Sequence, residues 1–387
     1  MTEHKLNVVV IAGEASGDIL GANLMAALKK LHPALSFSGV GGAHMQEQGM
    51  RSLFEMSEIA LMGIISVLPK IPSLLKRIRE TSEHILELQP DLVICIDAPD
   101  FNQRVAKQVK EKAQHIKIVN YVPPTVWFWR PERAKKIKSI FDLSLAILPF
   151  EPAVMKRLGG PACEYVGHPA VNAVATVAQG AAFRKQHKIG DGDKLICVLP
   201  GSRNSEIKQL GHIFGDTVKA LKLRYPDLRI AVPMVPHLRE RVGDMVREWS
   251  NDIIIVEGEA GKAALFAASN VALAASGTVA IELGLAELPM VVAYKIDGSI
   301  ARILWPRARV PSVNLVNIVL DQPIVPERLQ YNCRAEFLTA EMDILLRDDK
   351  RNADTREHLS RFKQIMTEGI SNPSENAAQI LLNLAGV

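Results

Sequence analysis

Cysteine is scarce in this chain of 387 residues: Cys95, Cys163, Cys197 and Cys333 stand far apart, with neither zinc-ligand spacing nor the density of a disulfide scaffold. A reducing, cytoplasmic setting is expected. Long apolar runs are also lacking. The longest, Ile59 to Leu68, contains Gly63 and Ser66 and stops at Pro69, well short of the ~20 residues that span a bilayer. Met1 to Lys5 leads into a short apolar segment with no charged leader and cleavage pattern, so no secretory signal is expected. Excess charge is small, at +4, which argues against general polyanion binding and against nucleic acid as a partner. Neither a short-period repeat nor a low-complexity tract is present.

What is present is material for a large core: 48% hydrophobic and 23% charged residues, at a length near the prior for two domains. Short Val/Ile/Leu runs alternate with longer helical patterns, the mark of parallel sheets covered by helices. Strands are predicted at Leu6–Ala12, Leu92–Ile96, Ile116–Tyr121 and Leu143–Leu148, then at Leu195–Leu199, Arg229–Pro233, Ile253–Val256, Val271–Ala275 and Met290–Ala293. The pattern weakens at Gly167-His168-Pro169 and the small-residue segment after it, where the domain boundary is placed. The fold class is therefore α/β, two doubly wound Rossmann-like domains facing across a cleft, with ligands outside the carboxyl ends of strands. Pro373 to Val387 reads as a helix, with a return onto the first domain as one option.

The strand ends carry the candidate chemistry. After the first strand comes Gly13-Glu14-Ala15-Ser16-Gly17-Asp18, either an anion-binding strand-to-helix turn or an ordinary one capped by Ser16 or Asp18. Strand Leu92–Ile96 ends in Asp97-Ala98-Pro99-Asp100-Phe101-Asn102, which offers a general base, a helix cap or, last in rank, a shared hard cation. No metal is expected. In the second half, Gly201, Ser202 and Arg203 present a turn and a guanidinium suited to phosphate. Ser276, Gly277 and Thr278 precede a helix whose Glu282 lies one turn deeper and can accept from ribose hydroxyls, or is simply a solvated acid. Trp127 and Trp129, followed by Arg130, Arg133, Lys135, Lys136 and Lys138, suit sugars, phosphates, headgroups or packing. Ile59 to Leu75, with Lys70, Lys76, Arg77 and Arg79, reads as a membrane-docking face through Ile65, Val67, Leu68, Leu74 and Leu75, or as a buried helix.

In this order the motifs, together with Pro149-Phe150-Glu151, Gly167-His168 and the pair Asn317 and Gln330, resemble the lipid-A-disaccharide synthases over nearly the whole chain. The chain departs from that pattern at Pro123, Phe128 and Val316. The resemblance implies an inverting glycosyltransferase of the GT-B architecture, acting in lipid A and lipopolysaccharide synthesis in a Gram-negative bacterium. It would transfer diacylglucosamine from its UDP derivative to the 6-hydroxyl of diacylglucosamine 1-phosphate, with no cofactor. Residues 1–172 would hold the acceptor and the membrane face, residues 173–365 the UDP-sugar, and residues 366–387 the final helix. Asp97 and Arg203 would be catalytic. Gly201, Ser202, Arg203, Ser276, Gly277, Thr278, Glu282 and Asn317 would bind the nucleotide, and Glu14, Ser16, Asp100, Asn102 and Trp127 the acceptor. The expected location is peripheral, on the inner face of the inner membrane, with a homodimer left open. The alternatives are an enzyme like UDP-N-acetylglucosamine epimerase, a transferase with a soluble acceptor, or a non-catalytic peripheral-membrane protein that keeps a nucleotide site.

Overall fold

The structure, a computed structural model, describes residues 5–59, 71–235, 238–296 and 312–387. The chain divides into two compact units, Met1–Pro169 with Gly369–Val387, and Ala170–Glu368. In the first, seven parallel strands lie in the order β3-β2-β1-β4-β5-β6-β7. These are β1 (Leu6–Ala12), β2 (Leu35–Val40), β3 (Arg51–Ser52), β4 (Leu92–Ile96), β5 (Lys117–Tyr121), β6 (Leu143–Ala146) and β7 (Ala162–Tyr165). In the second, β8 (Leu195–Leu199), β9 (Arg229–Met234), β10 (Ile254–Glu257), β11 (Val271–Ala275), β12 (Met290–Tyr294) and β13 (Glu327–Leu329) form a parallel sheet in the order β10-β9-β8-β11-β12-β13. In each sheet the strand order reverses at one place, between β1 and β4 and between β8 and β11, and such reversals open the crevice in which doubly wound sheets take ligands.

Period-two alternation in β1 explains the layering of the first unit. Val8, Val10 and Ala12 point to one face, where helix α1 (Ala15–Leu31) and the C-terminal helix cover them, while Val9 and Ile11 point to the other, under α3 (Ile71–Leu88) and α4 (Pro99–Lys112). Between α1 and α3 lies the short α2 (Ala43–Glu47). The C-terminal helix Pro373–Ala385 starts with Pro373 at its first position and with Asn372 accepting from the Ser374 and Glu375 amides. It buries Ala377, Ala378, Leu381 and Leu382 beside α1, and Glu375 pairs with Lys30 at 2.7 Å. Each of those leucines contributes roughly 1.5–3 kcal/mol by burial.

Helix α3 corrects one expectation. Leu74 is 7% exposed and packs with Ile78 and Ile85 in the core, whereas Leu75, 49% exposed, faces outward. A turn of about 100° per residue sends such neighbours to different faces. Leu74 is thus a core residue and not a docking one. Ile65, Val67 and Leu68 lie outside the described residues. No described helix is long and apolar enough to cross a membrane.

Candidate active site

Asp97 follows the last residue of β4 and adopts φ +49°, and Ala98, at φ +41°, also sits in the left-handed region. Two such residues in a row cost of order 1–3 kcal/mol each and persist only where the surroundings hold them. The restraints are visible. The Asp97 amide donates to Tyr121 O of β5 at 3.1 Å, and the Asn102 side chain, itself buried, donates to Asp97 O at 2.7 Å and to Ile96 O at 3.2 Å. Burial pushes the Asp97 carboxyl above the usual aspartate range, opposed by a hydrogen bond from the Ala98 backbone. The result is a half-buried, strained and proton-retentive carboxylate at a strand end.

The loop after β1 meets it directly. A Cβ on Gly13 would lie 2.6 Å from Ala98 Cβ, so only glycine lets the two loops touch. Glu14 and Ser16 follow Gly13 in the chain and are exposed. Asp100, in the first turn of α4, is exposed and lies 3.7 Å from Arg133. Asn102 is the one acceptor candidate turned wholly inward, where it clamps the turn.

Asp18 does something that sequence reading missed. Its carboxylate accepts from the Gly42, His44 and Met45 amides at 2.8–3.1 Å, and so satisfies the start of α2 from across the fold. Its place in the Gly13–Asp18 turn suggests local capping; the real partners lie more than twenty residues on, beyond any local signal.

After β5, Trp127 is half-buried, edge-on to Phe150 at 5.3 Å and to Phe128 at 6.0 Å. Its indole donates to Glu151, the first residue of α6 (Glu151–Arg157), whose carboxyl burial pushes up to about 7. Upstream, α5 (Glu132–Ile137) exposes Lys135 and Lys136, with Lys138 just beyond it.

In the second unit, Gly201 (φ +121°) makes the turn after β8 and leads into α8 (Asn204–Arg224), which α7 (Val177–Gln186) precedes in the chain. Glu206 Oε2 accepts from the Ser202 and Arg203 amides, while Oε1 pairs with the Arg203 guanidinium at 3.1 Å. The exposed Arg203 is thereby oriented by a capping acid, a role that the Glu three residues along signals in sequence. Beside it, at the end of the adjacent strand β11, Ser276 donates its amide to Ala293 O of β12, and Gly277 and Thr278 lie exposed before α11 (Val279–Leu285).

Glu282 of α11 lines a pocket with Glu259, Lys262, Ala263 and Phe266 of α10 (Glu259–Ala268), closed by Ala170 and the 173–175 segment. Helix α9 (Arg239–Trp249) precedes β10. Lys262 Nζ lies 2.8 Å from Glu282 and 2.6 Å from Glu259. Burial raises the Glu282 carboxyl, and the Lys262 ammonium opposes the rise. Asn317, on α12 (Leu315–Leu320), is buried with both ends of its amide engaged: it exchanges hydrogen bonds with Val325 O and N at 2.9 and 2.8 Å and reaches Glu327 at 3.4 Å. It pins the loop before β13. Among the described residues, no group of three or more His, Cys, Asp or Glu side chains comes together to hold a metal.

This double set of parallel α/β sheets is the architecture of sugar-nucleotide transferases and epimerases. The fold is similar to that of HepE from Anabaena in complex with UDP and glucose (TM-score 0.57, 15% identity, 99% of this chain and 100% of that one). It is similar also to UDP-GlcNAc 2-epimerase from Neisseria meningitidis bound to UDP-GlcNAc (TM-score 0.62, 14% identity, 98% and 99% covered). Such identities speak for the fold alone. Sequence is more specific. Residues 8–381 match the lipid-A-disaccharide synthetase family. The chain is 44% identical to the lipid-A-disaccharide synthase of Rhodospirillum centenum over 98% of this chain and 94% of that one, and 44% identical to that of Rhodopseudomonas palustris strain HaA2 over 97% and 95%. The chain belongs to the lipid-A-disaccharide synthase family and is a glycosyltransferase; that membership does not favour the epimerase-like and non-catalytic readings.

Proposed function

We propose that the enzyme transfers 2,3-diacylglucosamine from its UDP derivative to the 6-hydroxyl of 2,3-diacylglucosamine 1-phosphate, giving the β-1,6-linked disaccharide 1-phosphate and UDP with inversion. The observation that carries this reading is Asp97, a strained carboxylate with a raised pKa at the β1/β4 reversal. A primary alcohol is a poor nucleophile until its proton begins to leave, and a half-buried carboxylate within reach takes that proton in the transition state. The first unit binds the acceptor, with Glu14, Ser16, Asp100 and Trp127 as its contacts and Asn102 acting through the Asp97 turn.

The second unit binds UDP. Arg203, Ser202 and the Ser276-Gly277-Thr278 turn meet the diphosphate, and Glu282 the ribose. As charge builds on the departing UDP, the guanidinium and the hydroxyls stabilise it. Asn317 serves this site only by shaping its loop. Both substrates are acylated, so the protein works peripherally at the inner face of the inner membrane. The exposed Ile71 and Leu75 beside Lys76 and Arg79 support an apolar and cationic contact with anionic lipid.

The test is to incubate the pure protein with UDP-diacylglucosamine, with and without diacylglucosamine 1-phosphate, and to follow UDP release and the disaccharide by mass. Release that requires the acceptor is expected. Release without acceptor, or conversion of free UDP-N-acetylglucosamine, would overturn the reading.

A further inference from the structure

Two carboxylates, Glu259 on α10 and Glu282 on α11, converge on a single ammonium in the second unit's pocket. We propose that Lys262 is a positioning residue for the donor nucleotide: by bridging Glu259 and Glu282 it holds the Glu282 carboxylate turned so that its second oxygen meets the ligand's hydroxyls. The proposal rests on the reading of Glu282 as a ribose contact.

The geometry argues for a role beyond stability. Lys262 engages Glu282 through Oε2 at 2.8 Å, which leaves Oε1 as the oxygen for a ligand. Both side chains are about three-quarters covered, at 21% and 25% exposure, against the apolar wall of Phe266 and the small residues around it. In such surroundings a lone carboxylate tends to take up a proton, and a second acid nearby drives it further. Lys262 opposes both effects. Remove it, and Glu259 and Glu282 face each other as like charges; the Glu282 carboxyl is then raised further, and once protonated it accepts hydrogen bonds poorly. The charged and titratable groups around Glu282 are Glu259 and Lys262 from α10, with the buried Cys197 thiol of β8 close to Lys262.

The experiment is calorimetry of UDP binding to the full chain at pH 6 and pH 8, joined to steady-state kinetics, for Lys262→Met, Lys262→Arg, Glu282→Gln and the double variant Lys262→Met/Glu282→Gln. Expected for Lys262→Met is UDP affinity weaker by about tenfold at pH 8 and by more at pH 6, since a lost charge-assisted contact is worth about that much. The effect should appear in KM for the donor, with kcat at saturation within about threefold. Lys262→Arg should restore most of the affinity, and the double variant should be no weaker than Glu282→Gln alone. If Lys262→Met does not fold, Lys262→Gln is read in its place. Unchanged affinity in the Lys262 variant beside a loss in Glu282→Gln would overturn the positioning role and leave the nucleotide reading intact. Unchanged affinity in both would remove the nucleotide reading too. Losses that add in the double variant, or a loss equal at the two pH values, would mean that Lys262 does not act through Glu282.

Discussion

The indole Nε1 of Trp127 donates to Glu151 Oε1 at 3.3 Å, which ties the loop after β5 to the start of α6. The other oxygen of Glu151 accepts from the Leu148 amide at 3.0 Å, so one buried carboxylate holds two segments at the carboxyl edge of the first sheet. Trp127, the aromatic proposed to meet the acceptor, takes its orientation from this acid.

Folding raises the Glu151 pKa from 4.5 to about 7 through burial. The folded state therefore holds the proton more tightly than the unfolded chain. The contribution of Glu151 to stability is full below pH 4.5 and is lost as the pH rises through about 7, a change on the order of 3 kcal/mol. Glu151→Gln cannot titrate, and its amide replaces one acceptor with a donor. We expect it to be less stable at low pH but to show a much smaller fall in urea midpoint between pH 5 and pH 8 than the parent. Equal falls in the two proteins would refute the assignment.

Asp97→Asn keeps the size of the side chain and removes the base, so turnover should drop by about 10²-fold or more with UDP affinity intact. Asp100→Asn should change turnover by less than about threefold, because Asp100 is exposed and paired with Arg133. Burial displaces the acid limb of the pH–rate profile above the ordinary aspartate range, and activity is lost as the pH falls through it. Kinetics over pH 4–8 would check this; a severe loss in Asp100→Asn with near-normal Asp97→Asn would move the role to Asp100.

Leu74 and Leu75 offer a paired test of the membrane contact. Leu75→Ser should weaken binding to vesicles containing anionic lipid while leaving the melting temperature within a degree or two. Leu74→Ser, in the core, should cost roughly 2–5 kcal/mol of stability. If Leu75→Ser binds vesicles as the parent does, α3 is not part of the docking face.

The sequence by itself determined the central strands. Runs such as β4, β8 and β11 are apolar from end to end, and β1 is so but for Asn7, because parallel strands in mid-sheet are buried on both faces, and that signal is local. The sequence was equally informative about the strand ends, where Asp97, Arg203 and Ser276 stand. The strands β2, β3, β7 and β13 escaped it, being half-polar or, for β3, only two residues long, and lying toward the sheet edges. Only the tertiary structure decided which polar side chains face a ligand and which serve the fold. Asn102 and Asn317 turn inward to backbone groups, Asp18 reaches a helix start across the fold, and Lys262 meets Glu282 from another helix. The physical reason is that a covered polar group must find its partner wherever packing puts one, and for Asp18 and Lys262 those partners stand on other elements at sequence distances that no local pattern encodes.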